Sequence, residues 1–329
     1  MSKTHYVLQP RPLPSLLSLV IPIYNEEEVL PLLLKRLEKL LQSISFPVEV
    51  ILVNDGSRDR SIVLLLEAAA VEPRYKVVSL ARNFGHQVAA TAGLDYATGT
   101  AIVLMDADLQ DPPELILSMV DQYCRGYDVV YARRLDREGE TRFKKFTAWL
   151  FYRVMRRLIH PDLPVDVGDF RLMSRACLNV LLEMRELHRF LRGMVTWVGF
   201  AQTDVTFNRP ARAAGETKYP LRKMLLFAWN AAVSFSPLPL RLSLGVGFAL
   251  LCASLLYVVY AMYAVFSGKM VVAGWASSIT FTGLVGGSIL ISLGLLGEYV
   301  GRIFEEIKGR PLYTVNVVAN LPDRPAPRS

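Results

Sequence analysis

The stretch Met105-Asp106-Ala107-Asp108-Leu109-Gln110-Asp111-Pro112-Pro113 puts three carboxylates into six residues, directly after the uncharged run Ala101-Ile102-Val103-Leu104. Like charges this close repel, and each resists low-dielectric surroundings, so a cation is expected among them. The donors are all oxygens, with no His or Cys beside them, which suits a hard ion, Mg²⁺ or Mn²⁺. Asp106 and Asp108 form a D-x-D pair, and Gln110, two residues further on, offers a neutral ligand if the extended geometry persists. Asp111, ahead of Pro-Pro, reads as the cap of the next helix. Such ions keep few protein ligands and are completed by substrate phosphates; the chemistry they serve is neutralising charge on a departing diphosphate.

A D-x-D pair needs a rigid support, and the flanking sequence supplies one. Leu17–Ile23, Val48–Asn54, Lys76–Leu80, the run before Asp106 and Asp128–Ala132 read as strands that are apolar on both faces. Between them lie helical patterns, the first carried by Leu30, Leu33, Leu34, Leu37, Leu40, Leu41 and Ile44. Asn25 reads as its cap, with Glu26, Glu27 and Glu28 in the first turn. Strand and helix alternating through short connections predict an open, doubly wound α/β domain with a mostly parallel sheet. Ligands bind such sheets beyond the carboxyl ends of the strands. Three polar clusters fall there: Tyr24-Asn25-Glu26, Asn54-Asp55-Gly56-Ser57 and Asp106-Ala107-Asp108. No G-x-G-x-x-G follows the first strand, which counts against a dinucleotide fold.

The rest of the 329 residues has a different character. The chain is 52% hydrophobic with net charge +7, and its mean hydropathy is +0.30. The apolar excess is concentrated in Leu242–Gly268 and Met270–Gly297, each charge-free and longer than the roughly 20 residues a membrane-spanning helix needs. They predict a two-helix transmembrane hairpin. Basic residues flank it, so the front of the chain is expected on the cytoplasmic side. The expected organisation is an N-terminal tail (1–15), a catalytic domain (16–210), a juxtamembrane interfacial region (211–240), the hairpin (241–298) and a cytoplasmic tail (299–329). The basic, aromatic-laced segment Thr141–His160 reads as an interfacial helix on anionic lipids, and no nucleic-acid partner is expected. Three dispersed cysteines argue against a disulfide framework or zinc site, and a Pro-rich N-terminus predicts no cleaved signal peptide.

The segments "VIPIYNEEE", "ILVNDGSRDRS", "LARNFGHQVAATAGLDYATG", "LMDADLQDPPE", "DVGDFRLM" and "AGETKYPLRK" carry a resemblance over residues 16 to 310. The chain resembles glycosyltransferase family 2 with the GT-A fold, and within it the polyisoprenyl-phosphate sugar transferases. The resemblance implies an inverting, metal-dependent transferase in the inner membrane. It implies UDP-glucose as donor, undecaprenyl phosphate as acceptor and a tetrameric assembly, with formamido-arabinose or mannose transfer as alternatives. By the same resemblance Pro22, Tyr24, Glu26 and Asp55 line the nucleotide pocket, and Asp106 faces the ribose or diphosphate. Asp108 and Gln110 hold the metal, Lys218 and Arg212 reach a phosphate, and Arg133, with Lys144 nearby, receives the acceptor phosphate. Asp169 is implied as a base or a grip on a sugar hydroxyl, and Asp166 in the same loop is a second candidate.

A lipid phosphate weighs on that choice. Its second pKa is about 6, so it arrives as a dianion and needs little help from a base. None of the four histidines pairs with an evident acid or metal motif, and His86 reads as a helix-start residue. A processive synthase of the same fold would carry a Q-x-x-R-W motif, which "RFLRGMVTW" (Arg189–Trp197) lacks. A non-catalytic membrane scaffold has no use for the acidic cluster.

Overall fold

The computed structural model describes residues 7–134, 167–207, 238–267 and 274–321, in two compact units: Met1–Tyr219 with Arg310–Ser329, and Pro220–Gly309. The first unit is built on eight strands: β1 (Leu17–Ile23), β2 (Val48–Asn54), β3 (Tyr75–Leu80), β4 (Ala101–Leu104), β5 (Val129–Arg134), β6 (Val167–Ser174), β7 (Gln202–Phe207) and β8 (Val315–Ala319). They form one sheet in the order β7-β5-β6-β4-β1-β2-β3-β8. The centre β4-β1-β2-β3 is parallel, as the alternating pattern predicts, while β6 and β8 run antiparallel to their neighbours.

Every residue of β1 and β2 is buried, because helices cover both faces of the sheet. One face carries α1 (Leu30–Ser43), α2 (Ser61–Val71) and α4 (Leu115–Cys124); the other carries α3 (His86–Tyr96), α5 (Arg175–Glu183) and α6 (Leu191–Val198). On α1, Leu30, Leu33, Leu37, Leu40 and Leu41 face the sheet, and each such leucine contributes about 1.5–3 kcal/mol on burial.

The helix starts differ from expectation in two places. Asn25 does not cap α1, which begins only at Leu30 after a turn closed by Val29 N–H donating to the Glu26 carbonyl at 3.0 Å. Asp111 does not cap α4 either; Glu114 holds that position.

One buried carboxylate ties the strand starts together. Glu49 on β2 accepts from Ser18 Oγ at 2.5 Å, Thr98 N at 2.7 Å and Thr98 Oγ1 at 2.9 Å, and pairs with Lys76. Burial pushes its pKa up, but Lys76, Ser18 and Thr98 outweigh that and hold it below the ordinary 4.5. A carboxylate lowered in this way stabilises the fold above its unfolded pKa and loses the contribution as pH falls through its folded value. Glu49→Gln is therefore expected to cost about 1.5–3 kcal/mol at pH 7, with the gap to the parent shrinking below pH 4.5. Urea titrations at pH 7 and pH 3.5 check this, and an equal gap at both would contradict it.

Three strands go beyond the expected five. The segment around Asp169, expected as a loop, is the first half of β6, inserted between β4 and β5. Residues expected as terminal tails are also tied down. Arg11 donates to Asp128 Oδ1 at 2.7 Å. β8 pairs with β3, Tyr313 donates its hydroxyl to Asp95 at 2.7 Å, and Asn320 donates to the Ala69 and Tyr75 carbonyls at 2.6 and 2.9 Å.

The second unit contains α7 (Leu238–Phe266) and α8 (Trp275–Ile307), bridged by a hydrogen bond between the Ser243 and Ser292 hydroxyls. Within α8, Phe281–Ile307 is long and apolar enough to cross a membrane; on α7 the apolar stretch among the described residues is Leu242–Tyr257. Of the two expected spans, one meets the criterion among the described residues.

Candidate active site

The reversed direction of β6 assembles the site. Leu104 on β4 registers with Arg171 on β6, so the last residues of β4 and the first of β6 reach the same sheet edge. Asp106 and Asp169 meet there, beside the loops that follow β1 and β2.

Those two loops are stitched to each other. Asn25 N–H donates to Ser57 Oγ at 3.0 Å, and Arg58 N–H donates to Asn25 Oδ1 at 2.8 Å. Glu26 N–H donates to Ser61 Oγ at 3.0 Å, and Arg60 N–H to Glu27 Oε2 at 2.9 Å. The expected nucleotide-pocket residues thus sit on a fixed platform: Pro22 is buried in β1, Tyr24 is exposed and Glu26 is half-buried. At Gly56, with φ +64°, a Cβ would meet the Arg82 carbonyl carbon at 2.4 Å and Asn83 N at 2.5 Å. Glycine is what lets the loop after β3 lie against the turn after β2. Asp55, just before it, is buried; its carboxylate accepts from Phe84 N at 2.8 Å and Gly85 N at 3.0 Å. Burial pushes the Asp55 pKa up, only partly countered by those two amides.

Asp169 is the charge centre of the site. Its Oδ1 accepts from Arg171 Nη2 and Arg192 Nε, each at 2.9 Å, and its Oδ2 from Gln87 Nε2 at 3.2 Å. His86 Nε2 lies 3.3 Å from Asp169 Oδ2 and 3.4 Å from Asp106 Oδ1. Burial pushes the Asp169 pKa up, but Arg192, His86 and Arg171 together hold it well below the usual carboxylate range. Arg171 is wholly buried, with its guanidinium 5.4 Å over the Tyr131 ring. His86 is raised: burial alone would lower it, and the Asp169 and Asp106 carboxylates prevail. Asp106 is raised by burial first, offset by His86 and reinforced by the Asp169 and Asp108 charges.

The D-x-D stretch sits in a tight turn. Asp108 Oδ1 accepts from Gln110 N at 3.0 Å across Leu109, whose φ is +58°. Among the described residues, Gln110 Oε1 is a buried acceptor without a hydrogen-bond partner, and Asp106 Oδ1 has only the 3.4 Å approach of His86 Nε2. Buried oxygens left open in an all-oxygen set fit a hard divalent cation. The carboxylate oxygens of Asp106 and Asp169 and a His86 nitrogen also lie within 4.8 Å of one another. Asp169, however, is engaged by two guanidinium groups that would repel a dication.

Arg133 reaches the same edge on β5, exposed, and donates to Asp204 Oδ2 at 3.2 Å rather than joining the Asp169 cluster. Lys144, Asp166, Arg212, Lys218 and the basic segment 141–160 lie outside the described residues.

Four partners of Asp169 went unassigned in the sequence: His86, Gln87, Arg171 and Arg192. Arg192 belongs to the segment set aside for lacking a processive-synthase motif, and its only local signal was a pair of arginines three residues apart. His86 carried the weak signal of following the glycine that opens α3.

Residues 18–182 match the family model for glycosyl transferase family 2. The uncharacterized glycosyltransferase YkcC of Bacillus subtilis (strain 168) is 47% identical over 91% of this chain and 92% of its own. The bactoprenol glucosyl transferase of Shigella phage SfII is 37% identical over 91% of this chain and 97% of its own. Among solved structures, glucosyl-3-phosphoglycerate synthase from Mycobacterium tuberculosis aligns with a TM-score of 0.46 and 18% identity, covering 67% of this chain and 78% of that one. With a family match across the strands that carry the site, and relatives aligned almost end to end, this chain belongs to glycosyl transferase family 2 and is a glycosyltransferase.

Proposed function

We propose that this chain is a membrane-bound inverting glucosyltransferase that moves glucose from UDP-glucose to a polyisoprenyl phosphate such as undecaprenyl phosphate. The observation that carries the reading is the state of Asp169. A carboxylate held ionised by Arg192, His86 and Arg171 is a poor proton acceptor, which disfavours an acceptor whose hydroxyl must be deprotonated. A phosphate monoester is already a dianion at neutral pH and needs no base. The similarity to bactoprenol glucosyl transferases supports the lipid carrier and glucose.

In this reading Pro22, Tyr24 and Glu26 flank the nucleoside, with Asp55 at the floor of the pocket. Asp108, Gln110 and Asp106 would hold Mg²⁺ or Mn²⁺, which when bound would neutralise charge on the donor diphosphate. Arg212 and Lys218 would add positive charge to the same group. Arg133, at the exposed end of β5, exchanges its Asp204 contact for the acceptor phosphate, aided by Lys144. Asp169, kept ionised, grips a sugar hydroxyl and stabilises positive charge developing at the anomeric carbon. One in-line displacement inverts that carbon, so an α-linked donor gives a β-linked lipid phosphate.

The α7–α8 pair forms a two-span hairpin, the 141–160 segment rests on anionic headgroups, and the catalytic unit is cytoplasmic. The glycines of α8 (Gly283, Gly286, Gly287) permit the close helix approach a tetramer would use. The test is a transfer assay with membranes holding the full chain, radiolabelled UDP-glucose, undecaprenyl phosphate and Mn²⁺ or Mg²⁺. Label is expected in the lipid extract. Label on a sugar-hydroxyl acceptor instead, or lipid labelling only from another nucleotide sugar, would overturn the acceptor or the donor respectively.

A further inference from the structure

We propose that Tyr131 is a positioning residue for the transfer: it steadies Arg171 with its ring and Arg192 through its hydroxyl, the two guanidinium groups that grip Asp169. The inference rests on the reaction proposed above, in which Asp169 faces the sugar. Tyr131 lies on β5 and is 3% exposed, with β6 on one side and β7 on the other.

The ring meets a gap in the pairing of Arg171. That guanidinium is wholly buried; its Nε donates to the Asp169 carbonyl at 3.1 Å, and its Nη2 to the Gly168 carbonyl at 3.2 Å and Asp169 Oδ1 at 2.9 Å. Nη1 has no hydrogen-bond acceptor among the described residues. An open donor on a buried cation is costly unless something negative faces it. The Tyr131 ring centre lies 5.4 Å from the guanidinium carbon, so its π face supplies that partner.

The hydroxyl works on the other arginine. It donates to Gln202 Oε1 at 3.1 Å, and Gln202 Nε2 donates to the Val195 carbonyl of α6 at 3.3 Å. Thr196, beside the phenol, donates its own hydroxyl to the Arg192 carbonyl at 2.8 Å. The far end of α6 is thereby tied to β5 and β7, while its first residue, Leu191, donates to Gln87 Oε1 at 3.0 Å. Arg192, whose Nε reaches Asp169 Oδ1 at 2.9 Å, sits between these two ties.

Tyr131→Phe removes only the hydroxyl, and Tyr131→Leu removes the ring as well. In membranes holding the full chain, kcat is expected to fall about 3- to 10-fold in the first and about 30- to 100-fold in the second. KM for the nucleotide sugar and for the lipid phosphate, and Kd for UDP, should stay within about twofold of the parent. Gln202→Leu cuts the same tie from its other end and should match Tyr131→Phe. In an Arg192→Lys background, Tyr131→Phe should cost less than about twofold more, because it acts through that arginine. Tyr75→Phe is the control: this tyrosine is also buried, its hydroxyl donates to the Leu34 carbonyl on α1 at 3.5 Å, and its loss should leave kcat at the parent value. Hydrogen exchange gives a readout independent of transfer: the Val195 and Thr196 amides should exchange at least about tenfold faster in Tyr131→Phe. Parent-like kcat in Tyr131→Phe, a Leu variant no slower than the Phe variant, or unchanged exchange at those amides would overturn the proposal. So would a rise in the acceptor KM alone, which would put the effect at Arg133, two residues along β5. No transfer by the parent from any nucleotide sugar would overturn the proposed reaction instead, and the exchange measurement would still decide this inference.

Discussion

Asp169→Asn is expected to destabilise the catalytic unit by about 3–5 kcal/mol and to lower transfer by at least about 10²–10³-fold. The carboxylate is the shared counterion of a wholly buried Arg171, of Arg192 and of His86. An amide keeps the volume and removes the charge, leaving Arg171 as an uncompensated cation in the core. That penalty is larger than the worth of the ion pair itself, because the desolvation of the remaining partner is no longer offset. Activity falls separately, since under the proposed mechanism Asp169 is the anion that stabilises charge at the anomeric carbon. Denaturant titration and the lipid-transfer assay read the two effects. Parent-like stability in Asp169→Asn would mean that the four donors do not converge on this carboxylate.

The same residue shows where sequence reasoning reaches and where it stops. β1 to β5 were legible because each is a short apolar run, buried on both faces and bounded by turn residues. The D-x-D stretch was legible because carboxylates rarely follow a buried strand without a reason. β6 was hidden by its own function. It carries an Asp and an Arg inside a buried segment, and no local pattern separates that from a polar loop. Only the antiparallel register with β4 and β5 reveals the pair as a neutralised core element. His86 and Arg192 were illegible for a related reason: their shared partner lies 83 and 23 positions away, and periodicity carries no information over such distances. β8 was missed because five residues at the end of the chain pair only with the edge of β3. The two apolar C-terminal runs were plain in composition, and each coincides with one long helix, α7 and α8.

Asp108→Ala should reduce transfer by at least about 10³-fold and remove its dependence on added Mn²⁺ or Mg²⁺, with little change in thermal stability. Asp108 is half-buried, and among the described residues its side chain accepts one hydrogen bond, from Gln110 N at 3.0 Å. Losing such a bond on a partly solvated group costs about 0.5–1.5 kcal/mol, a small fraction of a domain's stability. Under the proposed function, transfer depends on the group far more heavily, because the same carboxylate would offer a metal ligand while it holds the turn that carries Gln110. Asp108→Asn separates these roles. Its carbonyl can still accept from Gln110 N, so the turn survives, while the negative charge that attracts a dication is gone. Asn is thus expected to match Ala in lost transfer and in weakened Mn²⁺ binding by calorimetry, yet to match the parent in exchange protection at Gln110. Gln110→Ala, which removes a neutral ligand only, should fall between the parent and Asp108→Ala. Parent-like turnover by Asp108→Ala after exhaustive chelation would show that charge on the donor diphosphate is met by other cations, leaving Arg212, Lys218 and Arg133 to carry it.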